Sequence, residues 1–222
     1  MGVPRQPESV RRYESRFLPV LISVGLVLLL EAMPTRYTIL PRPVGRSLEI
    51  VFVTSLVVAG VSPPTSVWAT VERWVVWIVV ALEALLEIVV LKTIMGDIIF
   101  HHHQIAPLTM LSSAVALWTM NVLIFSFVYW QLDRGGPAGR ATGWTGRADF
   151  TFTQGNPTDG VPAGWQPGFA DYFFLGFNTS IAFSPTDTLP LTPRAKFLMA
   201  AQSMISLITL VIVAARAINV LT

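Results

Sequence analysis

The residues best placed to do chemistry form a short polar turn between two apolar segments: Ser184, Pro185, Thr186 and Asp187. The segment before the turn, 169–183, is aromatic and apolar. At about 1.5 Å per residue, a helix of this length cannot cross a hydrocarbon core about 30 Å thick. Non-helical backbone is stable at membrane depth only where protein or a water-filled cavity satisfies its polar groups. The pattern predicts a re-entrant pore loop in which the turn, with Thr179 and Ser180 before it, binds ions.

A structural alternative assigns these polar side chains to helix capping. Ser184, Thr186 and Asp187 can accept hydrogen bonds from backbone N–H groups at helix ends. Asp187 can also pair with Arg194 or Lys196 at the membrane interface. In that case the turn is only a connection.

A second set of chemical groups is a pair of acids, Glu83 and Glu87, within the apolar run VVALEALLEIVV. Residues four apart share one helix face, and two neighbouring carboxylates in an apolar setting do not both ionise easily. The pair could bind a cation or relay protons, as acids within membrane helices often do. The structural alternative is hydrogen bonding to Asn121, Gln202 or serines of neighbouring helices.

Polar residues also recur near helical spacing in the last apolar segment. In a channel, Gln202, Ser206 and Thr209 could line the pore, whereas in any bundle they could join helices, because small polar residues mediate helix packing in lipid. The run His101 to His103 has poor geometry for an ion, so we expect a solvated loop, no metal site and no cofactor. The sequence contains no recognisable catalytic motif, and we expect no enzyme.

Composition places the chain among membrane proteins. Of 222 residues, 53% are hydrophobic and 13% charged, against about 25% charged in soluble domains. The net charge is +2, and the arginines concentrate at the N-terminus and in loops. That distribution suits lipid headgroups rather than nucleic acid. We expect a multi-pass protein of the inner (plasma) membrane, with the lipid bilayer as a partner.

The apolar runs predict an all-α integral membrane protein made of one domain, 1–222. Four or five transmembrane helices are expected, with one short re-entrant helix, 169–183, before the last. The number is open because the second run is short and ends at Pro63-Pro64. The predicted membrane helices are 16–33, 47–61, 70–95, 106–131 and 194–220. The Gly- and Pro-rich stretch 132–168 is expected to be an ordered extramembrane loop with a short hairpin around the sequence DFTF.

Topology depends on the second run. An internal N-terminus agrees with the arginines there. If 47–61 spans fully, the loop 132–168 lies on the same side as the N-terminus. If it does not, the loop lies on the other side.

The C-terminal layout resembles the pore region of potassium channels, in which a threonine-rich helix end leads into a TVGYG-type filter, an aspartate and a proline-containing step. Aligned on Asp187, Pro190 and Thr192-Pro193, the filter positions fall on 182–186. The channel filter needs glycines at positions that hold Ser184 and Thr186 here. Pro185 further restricts the backbone. The resemblance therefore implies a pore loop without the potassium-selective carbonyl ladder.

The run WTMNVLIFSFVYWQLDRGGP, together with DF.F, W.PGF.DYFF and F.TSIAFSPTDTLPLTPRAK after it, is similar to a family of bacterial multi-span membrane proteins without an assigned activity. The family pairs a Gly-Gly-Pro exit from one helix with an FSPTD-type turn before the last. The resemblance covers about half of the chain, 118–219, and implies a shared fold.

Together these features predict a pore-loop ion channel, weakly selective for inorganic cations. Because one chain supplies one re-entrant loop, a pore needs a homo-oligomer, with a tetramer favoured. The alternative is a non-conducting scaffold or receptor whose loop 132–168 binds a partner. A small transporter using Glu83 and Glu87 is a third possibility, although the sequence shows no internal repeat.

Overall fold

The computed structural model describes residues 14–34, 37, 40–100, 107–155, 165–184 and 187–221. Within these ranges the fold is all-α, with one two-stranded ribbon. The helices are α1 (Phe17–Ala32), α2 (Arg42–Val61), α3 (Val67–Phe100), α4 (Pro107–Leu132), α5 (Gly136–Thr142), α6 (Phe169–Ala182) and α7 (Pro193–Leu221). The strands are β1 (Phe150–Phe152) and β2 (Thr188–Pro190).

Four helical stretches are long and apolar enough to cross a membrane, a property compatible with a membrane protein: Arg42–Val61, Val67–Asp97, Leu111–Thr142 and Pro193–Ala214. The second run is longer than its sequence pattern predicts, because α2 begins at Arg42 rather than residue 47. Pro43 lies in its first turn, where proline is tolerated because the N–H groups have no helical partner. By contrast, α1 has only 16 residues.

Side-chain contacts define two ends of the helix bundle. At one, which we call the cap end, Arg16 donates to Glu72 over 3.0 Å, and Arg140 donates to Glu14 over 3.0 Å. The starts of α1 and α3 therefore meet the end of α4. At the other, the Tyr37 end, the Tyr37 hydroxyl donates to Asp97 over 3.2 Å.

Helix α4 is the centre of the bundle, and it contacts α1, α3, α6 and α7. About two thirds of its most apolar stretch is buried. Helices in lipid approach closely where small residues face each other, and Gly176 of α6 meets α4 in this way. A Cβ atom at Gly176 would lie 2.7 Å from the Ser126 hydroxyl and 3.1 Å from the Val122 carbonyl oxygen.

A tight reversal ends α4 at the sequence Asp133-Arg134-Gly135-Gly136-Pro137. Arg134, Gly135 and Gly136 all have positive φ angles, of 52°, 72° and 73°. Glycine adopts this region at little cost, so the motif turns the chain within three residues. The short helix α5 comes next and lies over the cap end.

The strand expected near DFTF exists, but its partner is not local. Strand β1 pairs antiparallel with β2, and Phe150 lies opposite Pro190. The predicted short hairpin is therefore wrong in its pairing, because the partner strand comes from beyond α6. This long-range ribbon holds the chain on either side of α6 to the cap end.

Candidate functional site: a hairpin that enters and leaves at the cap end

Helix α6 begins at the cap end, beside the last turn of α4. The Phe169 ring lies 4.9 Å from Phe127 and 5.4 Å from Trp130, measured between ring centroids. The Asp171 carboxylate accepts the Gly168 N–H at 2.8 Å, which satisfies one N–H at the start of the helix. These contacts fix where the helix enters.

From there α6 runs antiparallel to α4. Gly176 lies against Val122 and Ser126, and the Phe177 ring lies 6.2 Å from Trp118. Fourteen residues make a helix about 21 Å long. The end of α6 is therefore deep in the bundle, beside the middle of α4.

The chain then returns to the end from which it came. Phe183 adopts a left-handed conformation, with φ of 53°, and ends α6. Five residues later Thr188 is already paired with Phe152 of β1. The chain is therefore back at the cap end by Thr188, after the 14 residues of α6.

Two buried aspartates anchor the return at the cap end. Asp133 accepts the backbone N–H groups of Asp149 and Phe150 at 2.8 and 3.2 Å. Its other oxygen accepts the Tyr172 hydroxyl at 2.7 Å. One carboxylate thus joins α4, β1 and α6.

Asp149 extends this anchor to α7. Its carboxylate accepts the Thr192 hydroxyl at 2.5 Å and two guanidinium N–H groups of Arg194 at 2.7 and 2.6 Å. The Asp149 side chain is fully buried. Arg194 is thus used by Asp149, a partner that the sequence pattern does not indicate.

The predicted ion-binding residues divide between the surface and the interior of the subunit. Ser184 is exposed and Asp187 is partly buried, whereas Thr179 and Ser180 are buried. Pro185 and Thr186 lie outside the described residues. The turn thus reaches the surface of the chain, but the hydroxyls of the preceding helix point inward.

Several polar groups of α7 lie inside the helix bundle of the chain. Gln202 accepts the Tyr129 hydroxyl at 2.5 Å and donates to the Gly176 carbonyl and the Ser180 hydroxyl, each at 2.8 Å. Ser206 accepts the Asn121 amide at 2.7 Å. Such contacts belong to helix packing within one chain.

Thr209 is also buried, and its hydroxyl donates to the Ile205 carbonyl of its own helix over 2.9 Å. Gln202, Ser206 and Thr209 therefore face the interior of the helix bundle rather than the outer surface of the chain. Pore lining by these three side chains stays a prediction, which would require an assembly that opens this packing.

A surface groove of about 390 Å³ lies beside the turn, between α6 and α7. Thr179, Phe183 and Ser184 form one wall, and Lys196, Ser203 and Met204 belong to the other. The groove brings the start of the turn together with the first half of α7.

The acid pair lies in another part of the molecule, in the middle of α3. Glu83 is 6% exposed and Glu87 fully buried. Among the described residues, neither carboxylate oxygen of Glu87 has a hydrogen-bond partner, and nor does one oxygen of Glu83. The expected bonds to Asn121 and Gln202 are not formed, because those amides are used between α4, α6 and α7.

Metal-ligating side chains do not cluster in the described part of the chain. There, no group of three or more histidine, cysteine, aspartate or glutamate side chains is arranged to hold a metal ion. His101 to His103 lie outside the described residues, so the solvated loop expected there stays a prediction.

Sequence reasoning missed the anchoring residues of the cap end: Glu14, Asp133, Arg140 and Asp149. Arg140 is 5% exposed and donates to the carbonyl oxygens of Trp130 and Asp133 as well as to Glu14. The only signal in the sequence was the Asp-Arg-Gly-Gly-Pro motif, which indicated a tight helix exit but not what it contacts.

Fold and site together define an all-α protein with four helices able to cross a membrane and a hairpin that enters and leaves at one end. No protein-family model, curated protein or solved structure matches the chain. The resemblances to potassium channels and to the bacterial membrane-protein family therefore stay predictions.

Proposed function

We propose that this chain is a multi-pass protein of the inner (plasma) membrane and the subunit of a homo-oligomeric pore-loop ion channel. The observation that carries the proposal is the hairpin, in which α6 descends beside α4 and the chain returns to pair β2 with β1. A backbone turn at this depth is stable in a membrane where it faces protein or a water-filled path. A pore supplies such a path.

The electrostatics of α6 favour cations near the turn. The C-terminal end of a helix carries a partial negative charge, and its last four carbonyl groups have no partner within the helix. These groups belong to the turn of α6 that precedes Ser184. Asp187 adds an acidic group on the return path, and acidic rings give pores a cation preference.

The missing glycines limit selectivity. Ser184 replaces a glycine at a filter position, and non-glycine residues do not adopt the backbone angles of a potassium-type carbonyl ladder. We therefore propose weak selectivity among cations. Lys196 opposes the cation preference, because it lines the same groove as Ser184.

A pore requires several copies, and the outer face of the hairpin is suited to bury against another subunit. It is apolar, with an exposed fraction of about half for Phe174 and Ile181, and Phe197 of the neighbouring helix α7 is 74% exposed. Large apolar patches that are exposed on one chain mark lipid or protein contacts. Four copies around an axis would place four turns together.

The distribution of basic residues favours a cytoplasmic cap end. Lysine and arginine concentrate on the cytoplasmic side of membrane proteins. Among the described residues, those of the cap end are Arg16, Arg73, Arg134, Arg140, Arg147, Arg194 and Lys196, and those toward the Tyr37 end are Arg42, Arg46, Lys92 and Arg216. The hairpin would then enter from the cytoplasm.

Purified protein in liposomes tests conduction. With potassium, sodium or chloride gradients, we expect flux of both cations at similar rates and little chloride flux. Strong preference for potassium would overturn the filter argument. Chloride flux would show that Lys196, and not the helix end, sets the charge preference.

A cysteine at the turn tests whether the hairpin forms the conduction path. The chain has no cysteine, so Ser184→Cys introduces a single reactive thiol at an exposed position. A charged thiol reagent should block flux through this variant. Thr142→Cys, exposed on α5 at the cap end, is the matched control and should be labelled without block. Equal flux before and after labelling at residue 184 would argue against a pore at the turn.

The alternative is a non-conducting scaffold or receptor. It is favoured by the burial of Gln202, Ser206 and Thr209 within one chain, which directs these polar groups of α7 away from any pore. A correctly assembled oligomer that conducts no ion would favour this alternative, with the cap end as the partner-binding surface.

A further inference from the structure

A row of four glutamates leads from the surface at the Tyr37 end toward the middle of α3, and the side chains become more buried along it. The first, Glu31 at the end of α1, has a side chain 30% exposed and pairs with Arg46 over 2.6 Å. Glu49 of α2 is partly buried, Glu83 is 6% exposed and Glu87 is fully buried. Glu31, Glu49 and Glu83 border one cavity, and Glu87 lies one helical turn beyond Glu83 on the same face of α3.

The first three acids line one cavity. It has a volume of about 70 Å³ between α1, α2, α3 and α4, and its walls include Glu31, Glu49 and Glu83 together with the apolar side chains of Met33 and Met120. That volume accommodates a few water molecules and is too small for an organic ligand, which usually needs about 300 Å³ or more.

In the described part of the chain, the deeper acids have no compensating groups. One oxygen of Glu83 and both oxygens of Glu87 lack hydrogen-bond partners among the described residues. An ionised carboxylate buried without a partner is very costly. A neutral carboxylic acid, which carries its own proton, costs far less.

Few charged groups of the described ranges lie around the cavity. Helix α1 contributes Glu31, and α2 contributes Arg42, Arg46 and Glu49. Arg46 is used by Glu31, and Tyr37 donates to Asp97. Helix α4 has no charged residue between its first and last positions. Thus both arginines lie at the mouth, next to the partly exposed acids.

We propose that Glu49, Glu83 and Glu87 form a proton half-channel that opens at the Tyr37 end and stops at Glu87. Acid chains inside membrane proteins commonly carry protons. The described residues hold no cluster of the kind that binds a metal, which favours a proton over a metal cation as the species bound.

The transfers conserve charge and need no second reactant. A hydronium ion at the mouth gives its proton to the Glu49 carboxylate and becomes water. When Glu87 has lost its proton, Glu83 gives its own proton to the Glu87 carboxylate, and the Glu49 acid then reprotonates the Glu83 carboxylate through cavity water. Each step breaks one O–H bond and forms another.

Infrared spectroscopy of the purified protein tests the proposal, because a protonated carboxyl group has a C=O band distinct from that of a carboxylate. At neutral pH we expect such a band, and we expect Glu83→Gln or Glu87→Gln to remove part of it. Glu72→Gln is the control. Glu72 is similarly buried but paired with Arg16, so its loss should not change the band.

Hydrogen–deuterium exchange of the same band tests the pathway. In D₂O the band should shift without unfolding, and Glu49→Leu should slow the shift about a hundredfold, the lower end of what one positioned proton-transfer group contributes. Glu49→Asp keeps a carboxyl and should restore most of the rate. Thermal unfolding of each variant verifies that it is folded.

Two results would overturn the inference. A spectrum without a band assignable to Glu83 or Glu87 would mean that these groups are ionised and paired in a way that the fold does not provide. If the band exchanges with D₂O only when the protein unfolds, the acids are sealed from solvent. If it exchanges as fast in Glu49→Leu as in wild type, protons reach the acids by another route.

Discussion

The guanidinium of Arg140 lies 3.0 Å from the carboxylate of Glu14, and this contact joins the segment before α1 to the short helix after α4. Glu14 also accepts the Trp130 indole N–H at 2.6 Å. Both segments are therefore at the same end of the bundle, which requires an even number of crossings between them. Four helices, α1 to α4, lie between them, an arrangement that agrees with the first of the two predicted topologies. Crossing of a membrane by all four helices, including the 16-residue α1, stays a prediction.

Single cysteines test this topology, because the wild-type chain has none. In sealed vesicles, Ala170→Cys at the start of the hairpin and Leu189→Cys at its end should react with an impermeant thiol reagent from the same side, because both positions are exposed at the cap end. Arg42→Cys, at the start of α2, should react only from the other side. Labelling at 170 and 189 from opposite sides would show that α6 crosses the membrane.

The contact of α6 with α4 leaves no room for a side chain at Gly176. Gly176→Ala should lower the free energy of unfolding by about 1–3 kcal/mol, as overpacking does, because its Cβ would lie 2.7 Å from the Ser126 hydroxyl. Thermal unfolding in detergent measures the effect.

Gly25→Ala is the matched control. Gly25 also lies within a helix, but nothing lies within 4 Å of its Cβ position. Alanine is favoured over glycine in helices by about 1 kcal/mol, so this variant should be at least as stable as wild type. Equal losses in both variants would show that α6 does not pack closely on α4.

Gln202 should contribute more to stability than an ordinary membrane hydrogen bond. Gln202→Leu removes its bonds to Tyr129, Gly176 and Ser180, and those buried groups lose a partner. Single interhelical hydrogen bonds in membranes average about 0.6 kcal/mol, so a loss of about 2 kcal/mol is expected. Thermal unfolding in detergent measures this loss as well.

Thr119→Ala serves as the control for Gln202. The Thr119 hydroxyl donates to the Val115 carbonyl within its own helix, at an exposed site. Its replacement should therefore leave the free energy of unfolding almost unchanged. If Gln202→Leu is also neutral while the protein remains assembled, the α7 polar side chains are free in the working form. That result would favour their role in lining a pore.

The buried acids of α3 should differ sharply in their response to glutamine. The double variant Glu83→Gln and Glu87→Gln should unfold near the wild-type temperature, because an amide replaces a neutral, unpartnered acid. Glu72→Gln should lower the free energy of unfolding by about 3 kcal/mol, because the Arg16 side chain is only 13% exposed and loses its anionic partner. Thermal unfolding compares the two. If the double variant lost much stability and Glu72→Gln lost none, Glu83 and Glu87 would be the ionised acids and Glu72 the neutral one.

Charge at the mouth of the proposed pore is tested by Asp187→Asn. Cation flux into liposomes should fall, because the substitution removes an acidic group from the return path of the hairpin. Lys196→Gln should raise cation flux, because it removes a positive charge from the opposite wall of the groove. Unchanged cation flux in both variants would place the conduction path elsewhere.

The sequence by itself determined the features that depend on local pattern. Apolar run length predicted every helix except the short α5, and the shortness of 169–183 predicted the brief helix that ends before the turn, which has 14 residues. Proline at the first helical positions is tolerated, however, so α2 begins at Arg42 and not at the predicted residue 47.

Only the tertiary structure decided which distant residues meet. Nothing local to DFTF specifies that β1 pairs with β2 across the whole of α6, and nothing near Asp133 indicates that its carboxylate binds Asp149 and Tyr172. The same holds for the polar residues of α7. Their spacing put them on one face of a helix, but whether that face meets a pore or α4 depends on packing, which the periodicity of one helix does not encode.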